Sequence, residues 1–510
     1  MKRAKCIMIQ GTMSGAGKSL LCAGLCRIFT QDGFRVAPFK SQNMALNSYV
    51  TRDLLEMGRA QVVQAQACGK EPDVRMNPIL LKPSSDIGSQ VIVNGEVRGQ
   101  MSAAEYFRMK RQLIPDILKA YDSLAQENDI IVIEGAGSPA EINLRSDDIV
   151  NMGMAELVDA PVLLAGDIDR GGVFAQLYGT VALLEEKERN RIGGLIVNKF
   201  RGDESILRPG LTMLQEKTGI PVLGVVPYLS VDVDDEDSLA PRLNNGGVQK
   251  PLDIAVIRLP RISNFTDFSP LEEHPALGVR YVQSSRELGN PDMVILPGTK
   301  STMADLLWMR QNGLEASVCK LAHAGVPILG ICGGYQMLGN TLSDPFGSEG
   351  GGELCGMGLL PIDTVFAAQK SRTRVQATVS AEAFSGAQLD GYEIHTGKTT
   401  VHGKAFCKLE NGQSDGCVNK NVFGTYLHGL FDTGHLTQKV AEYLCRRKGI
   451  SCEQMRPISH KEYQEQQFDL LAQGMRNALD MQVIYALLNK TNCVNTAVLV
   501  ISKTADFLVD

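Results

Sequence analysis

The sequence predicts an α/β chain of two domains, each a mostly parallel sheet flanked by helices. Short apolar runs without polar alternation recur along the chain, as at residues 130–133 and 327–331, the pattern of strands buried on both faces. Stretches with helical spacing lie between them, as at 20–29 and 103–125. The series also begins afresh after a change of composition near residue 230, which calls for a second sheet. The 510 residues suffice for two or three domains of roughly 150 residues each.

Taken in order, residues 5–10 read as a buried strand that feeds a glycine-rich loop, with a helix after it. Further strand-like runs fall at 130–133, 161–165, 192–197 and 222–226. The expected first domain is 1–229. Residues 230–250 read as a linker, because Val231-Asp232-Val233-Asp234-Asp235-Glu236-Asp237 is acidic and Asn244-Asn245-Gly246-Gly247 follows. The acidic run is expected to be a solvated face. A second domain is expected over 251–443, with strand-like runs at 252–259, 293–296, 327–331 and 422–426. Residues 444–510 read as a helical extension and a tail without assignment.

Composition narrows the class. Hydrophobic residues make up 44% and charged residues 21%, ordinary values for a globular chain with large cores. A net charge of −6 argues against a nucleic-acid or anionic-membrane partner. No run approaches the ~18 apolar residues of a membrane span, and the apolar run after Lys5 is too short for a secretion signal. The 12 cysteines are scattered, without a Cys-x-x-Cys pair, and are expected to be thiols of a cytoplasmic protein.

Two motifs carry chemistry. Gly11-Thr12-Met13-Ser14-Gly15-Ala16-Gly17-Lys18-Ser19 follows the first strand and opens a helix. Gly15 and Gly17 let amides crowd around phosphate, with Thr12 and Ser14 in the same loop. Lys18 supplies charge, and the Ser19 hydroxyl is placed for Mg²⁺. The strict spacing has a glycine where Thr12 stands; Gly11 is displaced by one. Glu134 ends a strand before Gly135-Ala136-Gly137-Ser138 and is the candidate metal ligand, with Asp167 and Asp169 as competitors. Lys40 is a candidate phosphate or carboxylate binder. Asn198-Lys199 is a possible purine reader.

The second motif is Gly330-Ile331-Cys332-Gly333-Gly334, an apolar strand turning sharply into a helix with a thiol at the bend. The helix start lowers a thiol pKa and offers amides, among them that of Gly333, to an oxyanion. A thiolate needs a base. His428, at the end of the run 422–426, is the candidate, and His395 competes. Gly298 and Thr299, in a glycine turn after another strand, could add an oxyanion donor.

The elbow resembles the Gly-x-Cys-x-Gly of the class I glutamine amidotransferases. Pro297-Gly298-Thr299-Lys300-Ser301 and Gly391-Tyr392-Glu393-Ile394-His395 resemble the branch of that family that amidates corrin carboxylates. The N-terminal half is similar to the dethiobiotin-synthetase-like phosphate-loop proteins, through Lys40-Ser41-Gln42-Asn43-Met44-Ala45-Leu46-Asn47 and Gly166-Asp167-Ile168-Asp169-Arg170-Gly171-Gly172. The resemblance spans about residues 4–485.

It implies a cobalamin-biosynthetic ligase with Cys332 as nucleophile and His428 as base, whose small-molecule partners are ATP, glutamine and a corrin diamide, with Mg²⁺. The implied reaction amidates four peripheral carboxylates of adenosylcobyrinic acid a,c-diamide. Most class I enzymes orient the histidine with a glutamate two positions later. Here that position is Leu430, and Glu393 is one candidate substitute. Two rivals stand beside this reading: the sister amidation that makes the a,c-diamide, and a nucleotide-dependent switch ATPase. The switch would usually carry a second loop lysine where this chain has Met13.

Overall fold

The computed structural model describes residues 4–83, 88–234, 243, 249–451 and 459–489. The first sheet has six strands, all parallel, in the order Val222–Pro227, Ile192–Phe200, Val162–Asp167, Lys5–Gly11, Ile130–Glu134 and Val36–Phe39. Its strands are apolar throughout because both faces are covered, one by the core around Ile117, Tyr121 and Leu177, the other by that around Leu25, Phe29 and Leu471. Lys5–Gly11 is central, so the loop at its carboxyl end lies between the tips that carry Glu134 and Asp167.

A second six-stranded sheet runs Leu277–Val282, Leu252–Ile257, Met293–Leu296, Ile328–Ile331, Val422–Thr425 and Cys417–Asn419. Its first five strands are parallel and the last is antiparallel. Beside it lies a sheet built on the antiparallel pair Ile362–Val379 and Gln388–Val401, to which Leu427–His428 adds an edge. Residues 40–102 leave the first sheet and form a small sheet of Gln42–Met44, Ile79–Pro83, Gly88–Val93 and Glu96–Ser102, together with the ribbon Ser48–Val50 and Glu56–Gly58.

Three expectations need correction. The stretch 103–125 is not one helix: Ala103–Met109 is followed by a 3₁₀ turn, and a new helix Ile114–Glu127 starts with Pro115 in its first turn. Proline has no amide to donate and is tolerated only there. The acidic run is not simply a solvated face. The Asp234 side chain is buried, meeting Arg59 Nη2 at 2.8 Å and accepting from Ser269 Oγ at 2.7 Å. Residues 235–242 and 244–248 of the expected linker lie outside the described residues. Nor are all cysteines thiols: among the described residues nine are free, but Cys445 is disulfide-bonded.

Helices His460–Ala478 and Met481–Asn489 return to the first sheet and cover the phosphate-loop helix Lys18–Gln31. A Cβ on Gly24 would sit 2.0 Å from Met475 Sδ, so the bare position sets the close approach. Arg27 pairs with Glu465 and Asp469 at the rim. Residues 490–510 of the expected tail lie outside the described residues. Among the described residues, no helix is long and apolar enough to cross a membrane.

The two halves are joined by buried charge. Glu56 accepts from Lys82 Nζ at 2.6 Å within its own half and from Lys370 Nζ at 2.8 Å from the other. Burial alone would raise its pKa, but the two ammonium groups outweigh burial and hold it far below the usual carboxylate range. Breaking a buried pair leaves uncompensated charge, so Glu56→Gln is expected to lower unfolding free energy by about 3 kcal/mol at neutral pH. The depressed pKa stabilises the fold fully above roughly pH 4.3, and the contribution shrinks steadily as the pH falls from there toward the much lower folded-state pKa. Denaturant unfolding of parent and variant should therefore show a gap that narrows in acid. A gap that is constant with pH would contradict the pairing.

Candidate active site: a thiol elbow and a phosphate loop

Cys332 follows Ile328–Ile331 and precedes the short helix Gly333–Met337, with φ 51° and ψ −107°. A non-glycine residue holds such a conformation only when its surroundings fix it. Here the Cys332 amide donates to Thr425 O at 2.9 Å, and Gly334 packs so tightly that a Cβ would lie 2.1 Å from Leu296 O. The thiol is 8% exposed, with Sγ 3.7 Å from Ile394 O.

His428 lies at this thiol. It is buried, and the Cys332 side chain is among the groups that shift its titration. Its Nδ1 donates to Asp267 Oδ2 at 2.6 Å, and Asp267 Oδ1 accepts from the Gly429 amide at 3.0 Å. A carboxylate only accepts, so Nδ1 carries the hydrogen and Nε2 is left for the sulfur. Burial opposes protonation, but Asp267 and, after it, Cys332 overcome it and lift the imidazole pKa to about 10.

The competitor, His395, is held elsewhere. Its Nδ1 lies 2.7 Å from Gly397 O, and its ring stacks on Tyr426 at 3.7 Å. Glu393 is 3.7 Å from His395 Nε2, so the structure does not support it as the group that orients His428; Asp267 does that instead. Asp267 was invisible to spacing because it lies in a different part of the chain. The signal was an acid between two aromatic residues, Phe265 and Phe268, soon after a strand: both are core residues, so Asp267 must be buried and needs a partner.

The expected oxyanion residues converge. A Cβ on Gly333 would lie 3.1 Å from the Thr299 nitrogen, and one on Gly298 would lie 2.9 Å from His428 Cε1. The turn is fixed by Ser263 N donating to Gly298 O at 2.9 Å and Lys300 N to Arg261 O at 3.0 Å.

At the other sheet, Gly15 and Gly17 have φ of 76° and 91°, and Ser14 and Gly15 are exposed. The displaced glycine has a reason: a Cβ at Gly11 would meet Ala16 Cβ at 3.0 Å and Lys18 Cδ at 3.1 Å. Thr12 Oγ1 donates to Gln176 Oε1 at 3.1 Å. Lys18 Nζ bridges Met13 O and Gly137 O, each at 3.0 Å, which ties the loop to the turn after Glu134. Asn198 Nδ2 donates to Ala16 O and Lys199 Nζ to Gly15 O, so this pair braces the loop.

Glu134 is buried at the centre. Oε1 accepts from Ser19 Oγ and from Lys40 Nζ, both at 2.8 Å; Oε2 accepts from Gln64 Nε2 at 2.6 Å. Burial would raise its pKa, yet Lys40 and these donors lower it, so it is ionised. An ionised carboxylate beside a hydroxyl is a small set of hard oxygens. That suits Mg²⁺, which keeps water and phosphate oxygens as its other ligands. No group of three His, Cys, Asp or Glu side chains that could hold a metal occurs among the described residues. Of the competitors, Asp167 is buried against Lys199 Nζ at 2.9 Å, and Asp169 lies 3.4 Å from Arg201.

Comparison with known proteins matches residues 7–238 to the CobQ/CobB/MinD/ParA nucleotide binding domain and residues 253–436 to the CobB/CobQ-like glutamine amidotransferase domain. Curated cobyric acid synthases align along almost the whole chain. That of Ruminiclostridium cellulolyticum is 58% identical over 96% of this chain and 98% of its own. Those of Lachnoclostridium phytofermentans and Clostridium acetobutylicum are 56% and 53% identical over 96% and 94% of this chain, and 99% and 98% of their own. The chain belongs to the cobyric acid synthase family.

Proposed function

We propose that this chain amidates four peripheral carboxylates of adenosylcobyrinic acid a,c-diamide, giving adenosylcobyric acid in cobalamin biosynthesis, with ATP as activator and glutamine as nitrogen source. The observation that carries this reading is one chain holding both a Cys332–His428–Asp267 arrangement and a phosphate loop whose Ser19 meets a buried Glu134. A switch ATPase has no use for the first. The name shared by the relatives favours this reaction over the sister amidation.

Cys332 Sγ attacks the side-chain amide carbon of glutamine. The oxyanion that forms faces the amides around Gly333, Thr299 and Gly298. The His428 imidazolium gives its proton to the departing nitrogen, and ammonia leaves. Water then cleaves the thioester to glutamate, with the imidazole as base. At the other sheet a corrin carboxylate oxygen attacks the γ-phosphorus of ATP, and ADP departs. Ammonia attacks the acyl phosphate, a proton is lost, and phosphate leaves. Lys18 and the loop amides stabilise charge on the phosphoryl in flight. Ser19 and Glu134 would hold Mg²⁺, which would neutralise phosphate charge. Ammonia in water is mostly ammonium, so its transfer between sites calls for a shielded route.

The direct test is mass spectrometry of the diamide corrin incubated with ATP, Mg²⁺ and glutamine: four successive exchanges of OH for NH₂ are expected, and an unaltered corrin would refute the reading.

Cys332→Ala is expected to abolish glutamine use and leave ammonia-driven amidation. His428→Ala should lower glutamine hydrolysis by about 10²–10⁴, and His395→Ala by less. Asp267→Asn removes the charge that raises the His428 pKa, so the alkaline limb of the hydrolysis profile should move to lower pH. Steady-state glutamate release across pH decides the hydrolysis outcomes of all four variants, and amide formation with ammonia decides what Cys332→Ala retains.

Lys18→Ala is expected to stop amidation with either nitrogen donor. Glu134→Gln should retain nucleotide binding and lose Mg²⁺-dependent turnover, because a carboxamide is a poorer ligand for a hard cation. Amide formation with ammonia, titrated against Mg²⁺, is the measurement. Unchanged Mg²⁺ dependence in Glu134→Gln would move the role to Asp167 or Asp169.

A further inference from the structure

The carboxylate that holds His428 is not fixed by its own domain alone. Asp267 lies on the 3₁₀ turn Phe265–Phe268, which starts at Asn264 in the left-handed region, with φ 53°. Asn264 O accepts from the Asp267 amide at 3.0 Å, so the placement of Asn264 sets that of Asp267. Asn264 is in turn sewn to the other half of the chain. Its amide donates to Asn47 Oδ1 at 2.7 Å, and its Oδ1 accepts from the Ser48 amide at 3.2 Å.

A second tether reaches the imidazole from its other side. Tyr392 pairs with His428 across the sheet, and its ring stacks on the imidazole at 5.6 Å and 28°. Its hydroxyl donates to Ser48 O at 3.0 Å and accepts from Asn264 Nδ2 at 3.2 Å. Tyr392 also meets Tyr49 edge to face at 5.4 Å, and Arg374 Nη1 donates to the Tyr49 hydroxyl at 2.6 Å. Asn47, Ser48, Asn264 and Tyr392 are all buried, so no water replaces a lost partner without rearrangement.

We propose that Asn264 and Tyr392 are positioning residues of the glutaminase, anchored on Asn47 and Ser48 of the phosphate-loop domain, so that the imidazole takes its working place only when that segment is in register. The proposal rests on reading His428 as the base. It gives the polar stretch Lys40 to Asn47 a purpose that phosphate binding leaves unexplained. One end of this stretch, Lys40, touches Glu134 beside the phosphate loop; the other, Asn47, touches the turn that carries Asp267. Ser41 Oγ donates to Ile149 O at 2.7 Å and Asn77 Nδ2 to Lys40 O at 3.2 Å, which fixes the stretch along the way. A displacement at the phosphate site therefore has a short path to the glutaminase, along the backbone from Lys40 to Asn47 with an ion pair at one end and a hydrogen bond at the other.

The test uses the full chain and two variants on opposite sides of the contact. Asn47→Ala removes the acceptor for the Asn264 amide. Tyr392→Phe keeps the stacked ring and removes only the hydroxyl. In both, kcat for glutamine hydrolysis is expected to fall roughly 10- to 100-fold, as for a misplaced catalytic group. KM for glutamine should stay within about twofold, the alkaline limb of the pH profile should move down, and ammonia-driven amidation should persist. Asn47→Asp, which keeps the acceptor, should restore the rate.

Cys332→Ala is run alongside. Hydrolysis that survives Cys332→Ala overturns the reading of the glutaminase site itself. Hydrolysis lost in Cys332→Ala but parental in rate and pH profile in Asn47→Ala and Tyr392→Phe overturns only the interdomain positioning. Should Asn47→Ala fail to fold, Tyr392→Phe decides the matter alone, since it deletes one hydroxyl and no volume in the stack.

Discussion

A parallel sheet delivers the carboxyl ends of all its strands to one edge, and everything chemical in this molecule follows from that constraint. In the first sheet the edge gathers the glycine loop after Gly11, Glu134 and Asp167. In the second it gathers the turn after Leu296, the elbow after Ile331 and the strand end before His428. Residues remote in sequence become neighbours because the topology leaves them no other place. The sharp backbone at Cys332 is affordable because strands on either side hold it.

Burial then sets the electrostatics. Glu134, Glu56, Asp234 and Asp267 are carboxylates withdrawn from water, and each is matched by a cation or by several donors. Unmatched, each would be protonated or would destabilise the fold. The same rule serves two ends. At Glu56 and Asp234 it welds the halves of the chain; at Glu134 and Asp267 it keeps a reactive neighbour charged and aimed.

The sequence was most legible where one local pattern has one physical cause. The apolar runs at 130–133, 192–197 and 327–331 are strands close to their expected bounds, because no other element buries so short a run on both faces. Cys332 and His428 could be paired because a thiol elbow needs a base, and strand ends supply the candidates. Asp267 could not be, since its partnership spans most of a domain and obeys no spacing. The small sheet of 40–102 also escaped notice: its strands are short, and Glu96–Ser102 is polar along most of its length. The paired use of Asn47 and Asn264 is a property of contact between domains, which no single stretch records.

The return of helices His460–Ala478 and Met481–Asn489 to the phosphate-loop helix has a consequence for how the chain is made. A ribosome releases the first sheet long before it releases the helices that cover one face of it. Until then the side of the phosphate-loop helix around Gly24, which Met475 and Leu471 later meet, lacks its cover, while the amidotransferase half, continuous in sequence, can already close. The half that is begun first is completed last, and the nascent chain carries an open apolar flank through most of its synthesis.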